Sequence, residues 1–263
     1  MYSANVDKSF VLMNNKLSGK QVIEELNSLK DEKQKEVLTR FFKTQKGEYG
    51  EGDIFLGIKV PQTREIAKKY KELPLNEVHN LLISPIHEIR LCGFLILVLQ
   101  MKQELPTKTK IGDAKKRDTI VEFYLQHAKY ANNWDLVDLS CSYILGEWLL
   151  CKNSNGNFPS RDILYKLSKS NNLWEQRISI VTNWILIKKG EYNDILNLSE
   201  SMLSHQHQLI HKAIGWMLRE LGKKDIYLLR QFLEKNIKTI PRTTLRYAIE
   251  KMDSNEREYW MKK

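Results

Sequence analysis

In the stretch NNWDLVD (132–138), Trp134 and Asp138 stand four residues apart, a spacing that puts two side chains on one face of a helix. A carboxylate in that place has two uses. Ringed by bases, it stays ionised and can stabilise a positive charge that develops during a reaction. As a structural group, it can pair with a base from a neighbouring part of the fold, for which Arg177 is the candidate. Trp134 is equally open to two readings, because it falls nearer the apolar stripe of Val137, Cys141, Ile144 and Trp148, with Asp138 at the stripe's edge.

A second constellation lies in QHQLIHKAIGWMLRELG (206–222). At about 100° per residue, Ile210, Ile214, Met217 and Leu221 form one apolar stripe, while Lys212 and Arg219 fall on the opposite side. Trp216 lies closer to the two cations than to the stripe, and all three are neighbours on a helix surface. A tryptophan beside two cations suits stacking or sugar contact on a nucleic acid; the plainer alternative is a ring covering a helix seam. His205, His207 and His211 raise the question of a metal, since 207 and 211 are four apart, but no HExxH accompanies them and no metal is expected. No P-loop, GxSxG or dinucleotide fingerprint occurs, so no cofactor is expected and any catalysis must come from carboxylates, aromatics and fixed charge.

The 263 residues carry 42 Lys and Arg against 32 Asp and Glu, a net charge of +10. An excess of this size favours a polyanionic partner if it is clustered, and is merely solubilising if it is scattered. Three cysteines, Cys92, Cys141 and Cys151, form no CxxC; the first two lie in apolar helical patterns and read as small buried hydrophobes in a reducing compartment. The N-terminal apolar run, Phe10 to Met13, is too short for a signal peptide, and no later stretch approaches a membrane span. A cytoplasmic protein without membrane association is expected.

The elements that must position these residues are helices. Only 12 Gly and 6 Pro punctuate the chain, too few for the tight turns of a sandwich or barrel. Ser18 is placed to cap a helix, and Pro61, Pro74, Pro85 and Pro241 each open an apolar-periodic segment. From Leu91 onward the segment Ile86–Gln100 is apolar on nearly every side, as a helix between neighbours must be. IFLGIKV (54–60) has no partner strand and reads as an extended link into Pro61; the glycine-rich TQKGEYGEGD (44–53) carries Glu48, Glu51 and Asp53, which argue against a phosphate cradle and for a connecting turn. NSNGNFPS (153–160) is a second connection, and neither stretch marks a domain boundary, so one domain over 1–263 is expected. Aligning HEIR (87–90), WDLVD (134–138), WEQR (174–177), LIHK (209–212) and TTLR (243–246) gives a column of Arg90, Asp138, Arg177, Lys212 and Arg246, about 34 to 48 residues apart. Those periods fit a curved, all-α superhelical solenoid of HEAT-like repeats, whose concave face would carry the column as a basic ladder with one acid.

With these residues in hand, the sequence resembles the bacterial AlkD-type DNA alkylation repair family of HEAT-like-repeat glycosylases. The resemblance spans about residues 20 to 260 and rests on GEYGEGDIFLGIKVPQTREIAKKY (47–70), SPIHEIRLCG (84–93), NNWDLVDLS (132–140), NLWEQRISIV (172–181), LIHKAIGWMLRELGK (209–223) and PRTTLRYAIEK (241–251). It implies that Asp138 is the catalytic carboxylate, with Trp134 and Trp216 the aromatics that hold the damaged deoxyribose. It also implies that Arg177 and Arg219 contact phosphates, joined in the basic ladder by Lys212, Arg90 and Arg246. The implied reaction is hydrolysis of the N-glycosidic bond of cationic N3- or N7-alkylated purines in duplex DNA by a monomer, without base flipping. Departures from the family pattern are Cys141-Ser142, where many relatives have a small residue and proline, and Asn183-Trp184 in place of Ser/Thr-Phe; an N-terminal lesion-contacting aromatic has its nearest counterpart in Phe41. Outside the resemblance, two other readings fit the same scaffold: a protein that binds damaged DNA without excision, and a scaffold for an acidic protein partner.

Overall fold

The computed structural model describes residues 17–263, and the apolar run Phe10–Met13 lies outside them. The chain is all-α. Its helices are α1 (Gly19–Ser28), α2 (Glu32–Phe41), α3 (Val60–Lys69), α4 (Leu75–Leu82), α5 (His87–Glu104), α6 (Ala114–Gln126), α7 (Trp134–Asp138), α8 (Glu147–Leu149), α9 (Asp162–Ser168), α10 (Leu173–Val181), α11 (Asn183–Lys188), α12 (Asn193–Met202), α13 (Gln208–Gly222), α14 (Ile226–Asn236), α15 (Arg242–Ala248) and α16 (Ser254–Lys262). Among the described residues the only β pairing is a single parallel bridge between Ile54 and Ile86, and no helix is long and apolar enough to cross a membrane.

Local chemistry starts these helices much as their sequences require. Ser18 and Gln21 form a reciprocal capping box on α1, and Asp31, Asp113, Asn172, Asp225 and Asp253 each accept from a first-turn N–H of the helix that follows. Pro61 sits in the first turn of α3, and Pro74 and Pro241 are the N-caps of α4 and α15. Pro85 falls one residue before the N-cap Ile86, so it precedes α5 rather than opening it.

Consecutive helices pack as a series of pairs, the arrangement of a helical-repeat solenoid. Helices α5, α7, α10, α13 and α15 form the inner layer, and α4, α6, α9, α12, α14 and α16 back them. The all-round apolar α5 is buried from Leu91 through Leu97, while α13 buries Ile210, Ile214, Met217 and Leu221 completely. The most extensive contact in the series is between α13 and α15. A Cβ on Gly215 would stand 2.6 Å from the Thr244 carbonyl oxygen and 2.5 Å from the Tyr247 Cβ, so only glycine allows this approach.

The link 54–59 is extended, as expected, but its anchor is not visible in its own sequence. Glu88, fully buried on α5, accepts the backbone N–H groups of Leu56, Gly57 and Ile58 at 2.8–3.1 Å. One carboxylate thereby satisfies the donors that a neighbouring strand would otherwise take. Gly57 has φ +90° with its α-carbon pressed against the Asp31 carbonyl, where a side chain has no room.

One structural assumption of the sequence reading fails. The stripe through Trp134, Val137, Cys141, Ile144 and Trp148 requires a single continuous helix, but α7 stops at Asp138, a turn covers 139–140, and Ser142–Gly146 wind as a π-helix before α8. The Ser140 hydroxyl donates to the Leu136 carbonyl at 2.5 Å, and the Ser142 hydroxyl crosses to the Val181 carbonyl at 2.7 Å. Val137, Cys141 and Ile144 are buried core, whereas Trp134 is freed from the stripe and only half-buried.

Candidate nucleic-acid interface

The inner helices and the loop 44–53 enclose an open groove of about 910 Å³. Trp134 and Asp138 come from α7, Arg177 from α10, Lys212, Trp216 and Arg219 from α13, and Tyr247 from α15. The N-terminal side supplies Phe41, Lys43, Glu48 and Tyr49. The two tryptophan-bearing segments singled out in the sequence therefore meet in one place.

Asp138 and Arg177 form its floor. Arg177 Nε donates to Asp138 Oδ1 at 2.9 Å and Nη2 to Oδ2 at 2.8 Å, a two-pronged pair, while Nη1 donates to the Leu209 carbonyl at 2.7 Å. Burial raises the Asp138 carboxyl above its ordinary value, and the Arg177 guanidinium opposes that rise. Both oxygens accept from the guanidinium, which is the bonding of a carboxylate. The structural and the chemical uses of Asp138 are thus compatible: the pairing with Arg177 fixes the carboxylate whose face lines the groove.

The ladder of cations is corrected at several points. Arg177 is only 5% exposed, and three of its N–H groups are engaged with Asp138 and Leu209, so most of its hydrogen-bonding capacity is turned inward to the carboxylate and the α13 backbone. Arg90 is 3% exposed and lies off the groove; its Nη2 pairs with Asp53 Oδ1 at 2.5 Å and its Nη1 with the Ser84 carbonyl at 2.8 Å. Arg246 is exposed on α15, and its neighbour Tyr247 takes the groove position. The repeat alignment finds equivalent helices, but a difference of one residue in a helix rotates a side chain by about 100°, enough to change the face it occupies. Lys212 and Arg219 do line the groove. Among the described residues the groove's ion pairs are Asp138–Arg177 and those of Arg219 with Glu220 and Glu250, leaving Lys43 and Lys212 outside them.

Beneath Trp134 lies a buried polar chain that the sequence reading did not find. His87 Nδ1 contacts Asp53 Oδ2 at 2.8 Å and Nε2 contacts Asp135 Oδ2 at 2.9 Å. Burial works against the imidazolium, but the two carboxylates outweigh it and push the His87 pKa up to about 9. The ring stacks on Phe55 at 4.4 Å and meets Phe42 at 5.0 Å, and Phe42 stacks on Trp134 at 5.4 Å. Asp135 follows Trp134 in α7, so His87 supports the tryptophan both through the backbone and through Phe42. The signal was present as His87 of HEIR and Asp135 of NNWDLVD, but nothing in one sequence shows that the two are neighbours.

The loop 44–53 is no phosphate cradle. Glu48 accepts the Gln45 N–H at 3.0 Å and Glu51 the Gly47 N–H at 2.7 Å, so the loop's own acids occupy the amides an anion would need. Instead the loop brings Tyr49 to the groove, its ring edge-on to Trp174 at 6.3 Å, and burial raises its phenol pKa. Phe41, 60% exposed, stands edge-on to Trp134 at 5.9 Å. No group of three or more His, Cys, Asp or Glu able to hold a metal exists among the described residues.

Fold and groove together define a helical-repeat solenoid that presents aromatic, cationic and carboxylate side chains on one inner surface. Residues 22–252 match the model of the DNA alkylation repair enzyme family, and the chain belongs to that family. No curated protein matches it. Among solved structures, the predicted DNA alkylation repair enzyme from Enterococcus faecalis superposes with a TM-score of 0.62 at 15% identity, covering 86% of this chain and 97% of that one, a likeness of fold. Family membership points to the repair of alkylation damage, with DNA as the partner.

Proposed function

We propose that the protein is a DNA glycosylase that hydrolyses the N-glycosidic bond of purines carrying a cationic alkylation at N3 or N7. The observation that carries this reading is the Asp138 carboxylate, held at both oxygens by Arg177 on the floor of a groove that also contains Trp134 and Trp216. A purine made cationic by its alkyl group leaves as a neutral base without being protonated. What the protein must then stabilise is the positive charge that grows on the deoxyribose as the bond breaks. A fixed carboxylate does this without reorganising, and it can also orient the attacking water.

The remaining groove residues fit the substrate. Trp134, Trp216 and the exposed Phe41 offer apolar faces to a deoxyribose or base. Lys43, Lys212 and Arg219 supply charge for phosphates, and Arg219 must exchange Glu250 for one of them. The groove is open, which supports reading the lesion without turning the base into an enclosed site. The protein acts in this reading as a monomer and needs no cofactor. The test is incubation with methylated duplex DNA and detection of the freed base. Release of 7-methylguanine or 3-methyladenine is expected; binding of the duplex with no release would leave a damage-binding protein, and neither would leave a scaffold for another partner.

A further inference from the structure

The histidines at 205, 207 and 211 form no metal-holding cluster and the proposed chemistry does not use them, yet the backbone fixes the state of two of the rings. The His207 N–H donates to His205 Nδ1 at 3.0 Å, and the Leu209 N–H donates to His207 Nδ1 at 3.1 Å. A backbone N–H can only donate, so each Nδ1 is an acceptor and each neutral ring carries its proton on Nε2. Burial lowers the pKa of both rings, and for His207 the nearby His205, His211 and Arg177 act in the same direction. At neutral pH both are uncharged donors of fixed direction.

Their donors differ in use. His205 spends its Nε2–H on Gln176 Oε1 at 2.9 Å. His207 is half-buried in the groove wall, its Nδ1 caps α13, and its Nε2 meets no described residue. The ring stands two residues before Leu209, whose carbonyl anchors Arg177, and five before Lys212 on the groove side of α13. An unspent N–H on the same groove wall as Lys212 lacks only an anionic acceptor.

We propose that His207 is a further substrate-binding residue, whose Nε2–H donates to a phosphate oxygen of the damaged strand beside the Asp138 carboxylate. This rests on the DNA reading of the groove. Phosphate and sugar oxygens receive most protein hydrogen bonds to DNA, and Lys212, outside the groove's ion pairs, favours the charged oxygen. Because the donor is neutral, the contact releases no counterion, which distinguishes it from a lysine or arginine contact.

The test uses the full chain and a duplex bearing a tetrahydrofuran abasic analogue, which has no base to release. In His207→Asn the side-chain oxygen replaces Nδ1 and keeps the cap, since asparagine is among the strongest N-cap residues, but nothing reaches as far as Nε2. The expected result is an unchanged Tm, a Kd about three- to ten-fold weaker, and an unchanged slope of log Kd against log salt. His207→Asp, which also keeps the cap, should weaken binding more, and it serves if the asparagine variant melts early. A neutral methylphosphonate stepped through the linkages flanking the lesion should, at one position, weaken wild type but not His207→Asn. Wild-type affinity in His207→Asn overturns the proposal, as does a salt slope reduced by about one, or the absence of any such linkage. If wild-type protein fails to bind the duplex, it is the DNA reading that fails.

Discussion

At the residue scale the groove turns on one ion pair. Arg177 is buried and grips both oxygens of Asp138, so each member depends on the other for more than charge. Asp138→Asn replaces one accepting oxygen with an amide that faces guanidinium donors. Excision should fall by about 10² or more, as when a key electrostatic stabiliser is deleted, and the Tm should fall with it. Arg177→Ala should lower stability by about 3–5 kcal/mol by leaving a carboxylate buried and unpaired. Its excision rate should drop with that of Asp138→Asn, while the salt slope of DNA binding changes by less than the one unit expected for a lost phosphate contact. Single-turnover base release, melting curves and binding at several salt concentrations separate these outcomes. A wild-type rate in Asp138→Asn would make Asp138 purely structural.

At the element scale, short polar anchors decide where the inner helices sit. His87 ties the loop at Asp53 to α7 at Asp135, with Arg90 closing the chain on Asp53. Its pKa, raised from 6.5 to about 9, means that the folded state holds the proton more tightly than the unfolded chain. The associated stability is fully present below pH 6.5 and is lost as pH rises through about 9, a change of up to about 3 kcal/mol. Urea unfolding between pH 6 and 9.5 should show that decline, and His87→Gln should flatten it. Two backbone positions make a further pair of expectations. Lys43 sits in the left-handed region at φ 52° at the groove edge, so Lys43→Gly should leave stability level or raise it while weakening DNA binding and reducing the salt slope by about one. Gly215→Ala has the opposite character: its Cβ meets the α15 backbone, and a loss of about 1–3 kcal/mol, with displacement of Tyr247 from the groove, should show in melting and in DNA affinity.

At the scale of the whole molecule, the inner layer offers an open groove with the Asp138 carboxylate on α7, Glu48 in the loop at its edge, and several cations. Neutral damaged bases such as uracil, hypoxanthine or 8-oxoguanine are poor leaving groups, and their removal needs a proton donor or an enclosed site that bonds the departing base. The groove's aspartate is bonded as a carboxylate and has no proton to give. The expected selectivity is therefore for 7-methylguanine and 3-methyladenine over neutral lesions, measured by base release from duplexes carrying each lesion singly at equal enzyme and salt. Comparable rates on uracil and 7-methylguanine would require a proton donor other than Asp138 and would overturn this reading.

Much of this was legible from the sequence because it is local. The apolar period of α13, the capping serine of α1, the all-round hydrophobicity of α5 and the recurrence of helix starts at repeat-like intervals all follow from residues close together in the chain, and they determine an all-α solenoid. The motifs NNWDLVD, WEQR and HKAIGWMLRE likewise mark the helices that line the groove. Orientation was not legible. Asp138 could be read as a partner of Arg177 or as a group facing the groove, and only the packing of α10 against α7 shows that it is paired and still lines the groove. Arg90 read as an exposed cation because a sequence carries its charge but not the Asp53 carboxylate that meets it from 37 residues away. The π-turn that frees Trp134, the Glu88 carboxylate that secures the 54–59 link and the His87 chain under α7 depend in the same way on contacts distant in the chain. Helix formation is decided within a few residues, where periodicity and capping act. Which face a side chain turns to the groove, and whether its charge is spent or free, is decided by the neighbour that packing brings to it.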